Sequence, residues 1–205
     1  MIITIDGPAA SGKGTLARRL AAHFGLSHLD TGLLYRAVGE KMLAARRPLE
    51  DVEAAVAAAR EVRLDQLDRD RLMQAGLGEA ASRVAAMPEV RAALLALQRG
   101  FAGRPGGAVL DGRDTGTVVC PNADAKLYVV ATAEARAKRR YKELTERGER
   151  TSYDEVLADI KRRDERDSAR AVAPLKPAPD AVLLDTTDLD IEAAFQEALK
   201  IVRRE

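Results

Sequence analysis

Nine residues near the start of the chain, Gly7 to Thr15, read GPAASGKGT and constrain the rest. The apolar run Ile2-Ile3-Thr4-Ile5 leads into them, and Leu16, Leu20 and Phe24 follow at intervals of four, flanked by Ala17 and Ala21. This pattern predicts a strand, a tight loop and an amphipathic helix. Glycines let the loop turn its N–H groups toward one point. The helix start adds free amides and a positive dipole end there. Lys13 supplies an ammonium for the outer phosphates of a nucleoside triphosphate. The strict phosphate-loop pattern has Ser or Thr directly after the lysine, whereas here Gly14 intervenes before Thr15. A glycine-rich turn that binds nothing is the competing account, and the flanking strand and helix weigh against it.

The bulk numbers narrow the classes. A chain of 205 residues allows one large domain, or a core with an inserted lobe. The formal net charge of +1 gives no global pull toward nucleic acid or an acidic membrane. Arginine outnumbers lysine 25 to 8, which suits phosphate recognition but equally furnishes solvated helix faces. The single cysteine, Cys120, excludes an internal disulfide and a cysteine-based zinc cage. With only His23 and His28, both read as structural, a histidine-rich metal site is not expected. No apolar run is as long as a membrane span. The start MIITIDG has no basic leader and reads as a core strand, so a cytoplasmic protein is expected.

Strands are predicted at Ile2–Ile5, Leu26–Leu29, Ala108–Leu110, Lys126–Val130 and Val182–Leu184, each separated from the next by helical pattern. That alternation predicts an α/β fold with a parallel sheet flanked by helices. Between residues 32 and 104 no buried strand stands out. Leu34, Val38 and Met42 share a helical face, Pro48 breaks that helix, and further helices are expected around Val52–Val56, Ala80–Ala86 and Pro88–Gln98. A mainly helical insert at 32–104 is therefore expected within a core made of 1–31 and 105–205. Glu134–Glu146 reads as a helix closed by Gly148, and Ser152-Tyr153-Asp154-Glu155 as a capping box opening another helix. The two form a short helical hairpin around 141–163. The final helix is expected to lay Ile191, Phe195, Leu199 and Val202 on the sheet.

Three further stretches can carry chemistry. In LDTGLLYR, Leu29 to Arg36, Thr31 suits an N-cap and Arg36 falls near the carboxyl ends of the strands, where open parallel sheets bind ligands. A solvated arginine explains it equally well by position alone. In AVLDGRDTG, Ala108 to Gly116, an apolar strand ending in Asp111 resembles a Walker B element, whose carboxylate holds Mg²⁺ directly or through water. Arg113 and Asp114 follow at the same sheet edge, and turn chemistry is the competing account. On the polar helix, Arg163, Asp167 and Arg170 share one face. Such runs usually mean surface ion pairs worth tenths of a kcal/mol. Beside a phosphate loop, an arginine that neutralises a transferred phosphoryl is worth about 10³–10⁵ in rate.

The stretches ITIDGPAASGKGT, LDTGLLYR, EAASRVAAMPEVRAALL, DGRDTGTVV and IKRRDERDSARAVAPL span nearly the whole chain. Together they resemble the bacterial cytidylate kinases, within the nucleoside monophosphate kinases. The resemblance implies a P-loop kinase core with a five-stranded parallel sheet, a mainly helical NMP-binding insert and a short helical lid. It implies transfer of the γ-phosphoryl of ATP to CMP or dCMP with Mg²⁺, by a monomer with no nucleic-acid or membrane partner. Gly7, Pro8, Ala9, Ala10, Ser11, Gly12, Lys13, Gly14 and Thr15 would hold ATP, with Arg136 and Arg140 as weaker matches. Thr31, Arg36 and Arg113 would line the CMP site, Ser82, Arg91 and Asp114 would face cytosine, and Arg163, Asp167 and Arg170 would contact the monophosphate and its sugar. Lys13, Arg113 and Arg163 would act in transfer, and Asp111 would hold the metal, directly or through water. Chemistry agrees on the base: a carboxylate accepts from the cytosine amine and repels the uracil carbonyl. The acceptor phosphate is already an anion, so alignment and charge screening are the work required. Closure of insert and lid would keep water from competing.

The family's insert usually carries a small antiparallel sheet, and here Glu61–Gly78 is short for it, with room for one or two strands in EVRLDQLDRDRLMQ. That bears on how well CMP is told from UMP, so a kinase for UMP or a small non-nucleotide acceptor is the alternative. A GTP-dependent switch would need an Asn-Lys-x-Asp motif, which the sequence lacks. Asp-Thr-Gly occurs twice, at Asp30 and Asp114, but an aspartic protease needs an all-β bilobal body.

Overall fold

The computed structural model describes residues 1–74 and 76–204. In chain order, β1 (Ile2–Asp6), α1 (Lys13–Phe24) and β2 (Ser27–Asp30) lead into α2 (Thr31–Ala44), α3 (Val52–Arg60), α4 (Arg69–Leu72), α5 (Leu77–Val84) and α6 (Pro88–Ala102). Then come β3 (Ala108–Gly112), a π turn at Thr115–Val119, β4 (Ala125–Val130), α7 (Ala133–Glu146), α8 (Tyr153–Ser168), β5 (Val182–Asp185) and α9 (Ile191–Arg203). The chain divides into two compact units, Met1–Leu29 with Phe101–Glu205, and Asp30–Gly100.

In the first unit the strands form a parallel sheet in the order β2-β3-β1-β4-β5. β1 lies in the middle, with Ile3 and Ile5 fully buried on one face and Thr4 fully buried on the other, as a strand covered on both faces requires. It pairs with β3 on one side, placing Ile5 opposite Asp111, and with β4 on the other, placing Asp6 opposite Tyr128. Leu16, Ala17, Leu20 and Ala21 of α1 join Phe195, Ala198 and Leu199 of α9 over Ile3, Ile5, Val109, Leu127 and Val129. The periodicity thus places α1 correctly. On α9 the apolar face is shorter than expected: Phe195 and Leu199 are buried, but Ile191 is 62% exposed. Ile191 is the first residue of α9, and capping by Asp190 accounts for the helix starting there.

Four strands run past their apolar residues, β1 to Asp6, β2 to Asp30, β3 through Asp111 to Gly112 and β5 to Asp185. Helices α7 and α8 share a small core of Ala137, Leu144, Val156 and Ile160, on which Ala10 of the phosphate loop also packs. The capping box at Ser152 is formed, with Glu155 Oε2 accepting from the Ser152 N–H at 2.8 Å and Ser152 Oγ accepting from the Glu155 N–H at 3.2 Å.

The second unit is helical. α2 and α5 meet at Gly39, where an added Cβ would lie 2.8 Å from the Cβ of Ala80. The segment with room for strands forms none among the described residues: Leu64–Gln66 is a 3-10 turn and Arg69–Leu72 a single helical turn. Asp68 caps that turn by accepting from the Arg71 N–H at 3.1 Å, and Leu72 is its buried residue. One apolar anchor with a local cap favours a helical turn over a strand, which needs apolar residues at alternate positions.

Candidate functional site

The phosphate loop leaves the carboxyl end of β1 against β4. A Cβ on Gly7 would lie 2.0 Å from the Val129 carbonyl oxygen, and Gly7 has φ +154°, so only glycine fits. Ala10 takes a left-handed conformation, φ 59°, that costs an L-residue about 1 kcal/mol. Helix α1 begins at Lys13 without a side-chain cap. Lys13 is buried and its Nζ donates to the Pro8 carbonyl at 3.0 Å, so the ammonium lies over the loop. Ser11 is fully buried and its Oγ has no hydrogen-bond partner among the described residues.

The end of the neighbouring strand β3 brings Asp111 beside this loop. Its Oδ2 lies 3.6 Å from the position a Cβ would take on Gly14, and its Oδ1 lies 2.7 Å from His28 Nε2 on β2. Beyond β3, Asp114 is buried and its carbonyl accepts from the N–H groups of Val118 and Val119 at 2.9 and 3.2 Å, opening the π turn.

Arg113 reaches from the same turn to α8. Its Nε donates to Asp167 Oδ2 at 2.8 Å, and Arg170 donates to Asp167 Oδ1. Burial would raise the Asp167 pKa, but the charges of Arg113 and Arg170, helped by Arg163, outweigh it and hold the carboxyl below its ordinary value. Arg163 lies 3.9 Å from Asp159, and its Nε is buried with no hydrogen-bond partner among the described residues. Burial first, and then the Arg113 charge, weaken its hold on its proton. Three guanidiniums therefore gather around the Asp167 carboxylate at the carboxyl edge of the sheet, a concentration of positive charge suited to an anion.

Arg136 is placed differently from a free ligand contact. Its Nε donates to the Ala131 carbonyl at 2.9 Å, its Nη1 to the Ala9 carbonyl at 3.2 Å, and both Nη groups pair with Asp164 at 3.1 and 2.5 Å. It ties the phosphate loop to α7 and α8. Arg140, one turn later, pairs with Glu143 at 2.8 Å.

In the second unit, the N-cap of α2 is Asp30 and not Thr31, because the Asp30 carboxylate accepts from the Gly32 N–H at 3.0 Å and also pairs with Arg69 at 3.1 Å. Thr31 becomes the first helical residue and is buried. Arg36 Nη1 donates to the Leu72 carbonyl at 3.0 Å. Arg91 Nη1 donates to the Ala85 carbonyl at 3.1 Å, and its guanidinium lies 5.4 Å from the Tyr35 ring centre. Ser82 is buried on α5.

Residues 3–204 match the family model described as cytidylate kinase. The chain belongs to the cytidylate kinase family. A cytidylate kinase from Methylocella silvestris is 65% identical over 202 residues, covering 98% of this chain and 94% of that relative. One from Xanthobacter autotrophicus is 65% identical, covering 98% and 97%. Among solved structures, a gluconokinase from Sinorhizobium meliloti aligns with TM-score 0.52 at 16% identity over 98% of this chain and 91% of that one, a likeness of fold. An uncharacterized protein from Eubacterium ventriosum aligns with TM-score 0.57 at 13% identity, covering 100% and 99%.

Motif reading of a cytidylate kinase misses two contacts of this site. His28 reads as structural with no partner named, and it sits on Asp111. Asp6 carries no role in that reading, and it takes three hydrogen bonds from the π turn. Both pairings join residues more than eighty positions apart, so no local signal announces them.

Proposed function

We propose that this chain transfers the γ-phosphoryl of ATP to CMP or dCMP, giving ADP and the nucleoside diphosphate. The observation that carries the reading is the half-buried cluster of Arg113, Arg163 and Arg170 around the buried Asp167, which concentrates positive charge at the sheet edge. In the family the arginines at these motif positions meet the acceptor phosphate, and cations there screen the repulsion between two anionic reactants. Asp167 presents two of those guanidiniums in a fixed orientation. Gly7 to Thr15 cradle the donor, with Lys13 on its outer phosphates. Arg136 and Arg140 complete the donor side, Arg136 by fixing the Ala9 carbonyl as well as by its charge. Asp114 accepts from the cytosine amine, with Ser82 and Arg91 as the other base contacts and Thr31 and Arg36 on the acceptor nucleotide.

A magnesium ion fits this donor set. Among the described residues there is no group of three or more His, Cys, Asp or Glu side chains able to cage a metal. Mg²⁺ needs none, since it keeps waters and is held by one or two carboxylates with substrate phosphates. Asp111 beside Gly14 is such a carboxylate, and with Oδ1 on His28 it would hold the ion from Oδ2 or through water. When bound with ATP, the ion supplies charge neutralisation across the phosphate oxygens.

Residues 32–104 would act as the NMP-binding insert and 141–163 as the lid. We infer that the protein works as a monomer. Among the described residues no helix is long and apolar enough to cross a membrane, and the cytoplasm, where both nucleotides are held, is the compartment we infer.

The test is ADP release from ATP and Mg²⁺ with CMP, dCMP, UMP, AMP or no acceptor. CMP and dCMP are expected to stimulate turnover well above the others. Equal stimulation by UMP overturns the base assignment, and no stimulation by any acceptor overturns the kinase reading.

A further inference from the structure

Asp6 ends β1, one position before Gly7, and none of the roles above uses its side chain. It is 4% exposed. Its Oδ1 accepts from the Thr115 N–H at 2.9 Å and from the Thr115 hydroxyl at 2.8 Å, and its Oδ2 accepts from the Gly116 N–H at 2.7 Å. All three donors belong to the turn that begins directly after Asp114. The turn is also pressed against β1: a Cβ on Gly116 would lie 2.8 Å from Thr4 Oγ1 and 3.4 Å from Asp6 Oδ2. From its other side the turn is closed by the Asp114 carbonyl, which takes the Val118 and Val119 N–H groups. The backbone at Asp114 is thus fixed by Asp6 immediately ahead of it and by its own turn.

We propose that Asp6 is a positioning residue for acceptor recognition, holding the Thr115–Gly116 backbone so that Asp114 meets the base and Arg113 the phosphate. The proposal rests on the reading of Asp114 and Arg113 given above. Its physical basis is the choice of side chain. A buried carboxylate is costly, and here burial, opposed by the Gly116 and Thr115 hydrogen bonds and reinforced by Asp114, raises its pKa to about 6. A carboxylate nevertheless offers what no neutral side chain of this size does, two oxygens that accept in several directions at charge-assisted strength. Asparagine fills the same space but turns an N–H₂ group toward either Gly116 or Thr115, so one of the three contacts becomes donor against donor. Because Asp6 also enters the phosphate loop at Gly7, one residue fixes the origin of the loop and the turn beside it.

The experiment compares the ratio of kcat/KM for CMP to that for UMP in wild type, Asp114→Ala, Asp6→Asn, Thr115→Val and the Asp6→Asn/Asp114→Ala pair. Asp114→Ala should collapse the ratio. Asp6→Asn should lower it roughly tenfold, the size expected for losing one charge-assisted hydrogen bond, mainly through KM for CMP. Thr115→Val, which removes only the hydroxyl donor, should lower it by about threefold. In the double variant Asp6→Asn should add little, because both changes act on one group. The proposal is overturned if Asp6→Asn and Thr115→Val depress CMP and UMP turnover alike with the ratio intact while Asp114→Ala collapses it. If Asp114→Ala leaves the ratio intact, the base assignment itself fails and takes the proposal with it, a pattern distinct from the first. Should Asp6→Asn fail to fold, Thr115→Val decides alone by the same criterion.

Discussion

At the scale of single residues, backbone space decides what the loop tolerates. Gly7→Ala places a methyl 2.0 Å from a carbonyl oxygen of β4, a main-chain atom that cannot swing aside. The loop must therefore separate from the sheet. We expect a loss of about 3 kcal/mol in urea unfolding, the upper range for overpacking, together with loss of ATP binding by calorimetry. Ala10→Gly should act in the opposite sense. It relieves the left-handed cost at φ 59° but loosens the unfolded chain, so a gain of no more than about 1 kcal/mol is expected in the same measurement. Motif residues are legible because their chemistry is local: Gly7, Lys13 and Asp111 declare themselves by spacing. Asp30 and Thr31 show the limit of that legibility. Both are good caps, and the choice falls to Asp30, which also meets Arg69 across 39 positions of sequence.

Among the elements, the strands are readable because each is a short apolar run between turn signals. Their ends are not, since Asp6, Asp111 and Gly112 extend the ladder by main-chain bonds that ignore side-chain polarity. The residues around Asp68 mislead for the opposite reason, because a cap satisfies the backbone locally before any strand partner can. In the second unit, α2 and α5 approach closely only because Gly39 has no side chain. Gly39→Ala sets two methyl carbons 2.8 Å apart, with the Ala80 carbonyl carbon and Ala81 nitrogen at 3.2 and 3.3 Å. The helices must move apart, at a cost of about 2 kcal/mol in urea unfolding. Since Ser82 rides on α5, KM for CMP should rise more than KM for ATP; a fall in stability with both KM values unchanged would remove Ser82 from the acceptor site. Within the first unit, Asp164→Asn weakens the anchor of Arg136 on α8 while keeping its shape. Arg136 then remains buried with a neutral partner, and a loss of about 2 kcal/mol is expected, with KM for ATP raised through the Ala9 carbonyl that Arg136 also holds.

For the whole molecule, stability as a function of pH reports the buried carboxylate that the fold holds against its own preference. Burial is the largest influence on Asp6. The N–H groups of Gly116 and Thr115 and the Thr115 hydroxyl oppose it, and the Asp114 charge adds to it. Tyr128 on β4 feels the same negative charge, and its own pKa is raised by burial and then by Asp6. Lys126, whose Cδ would sit 3.3 Å from a Cβ on Gly116, turns its ammonium away to the Pro121 carbonyl and Asp180. The result is a folded-state pKa of about 6 against 3.8 in the unfolded chain. Below 3.8 both states are protonated and the group's contribution is fully present. Between 3.8 and 6 the unfolded chain has released the proton that the folded state still binds, so stability falls as pH rises. Above 6 both are ionised and nothing further changes. Two pH units of this kind amount to about 3 kcal/mol. The amide introduced by Asp6→Asn cannot titrate, so subtraction removes the groups of the chain that do not interact with Asp6. The unfolding free energy of Asp6→Asn minus that of wild type should rise by about 2.5 kcal/mol from pH 4 to pH 7 and stay level to pH 8. Urea titrations at each pH measure it. A difference that falls over the same interval means the hydrogen bonds of the turn outweigh burial. The Asp6 carboxylate would then be a net stabiliser at neutral pH, and the cost assigned to placing a charge beneath Asp114 would be withdrawn.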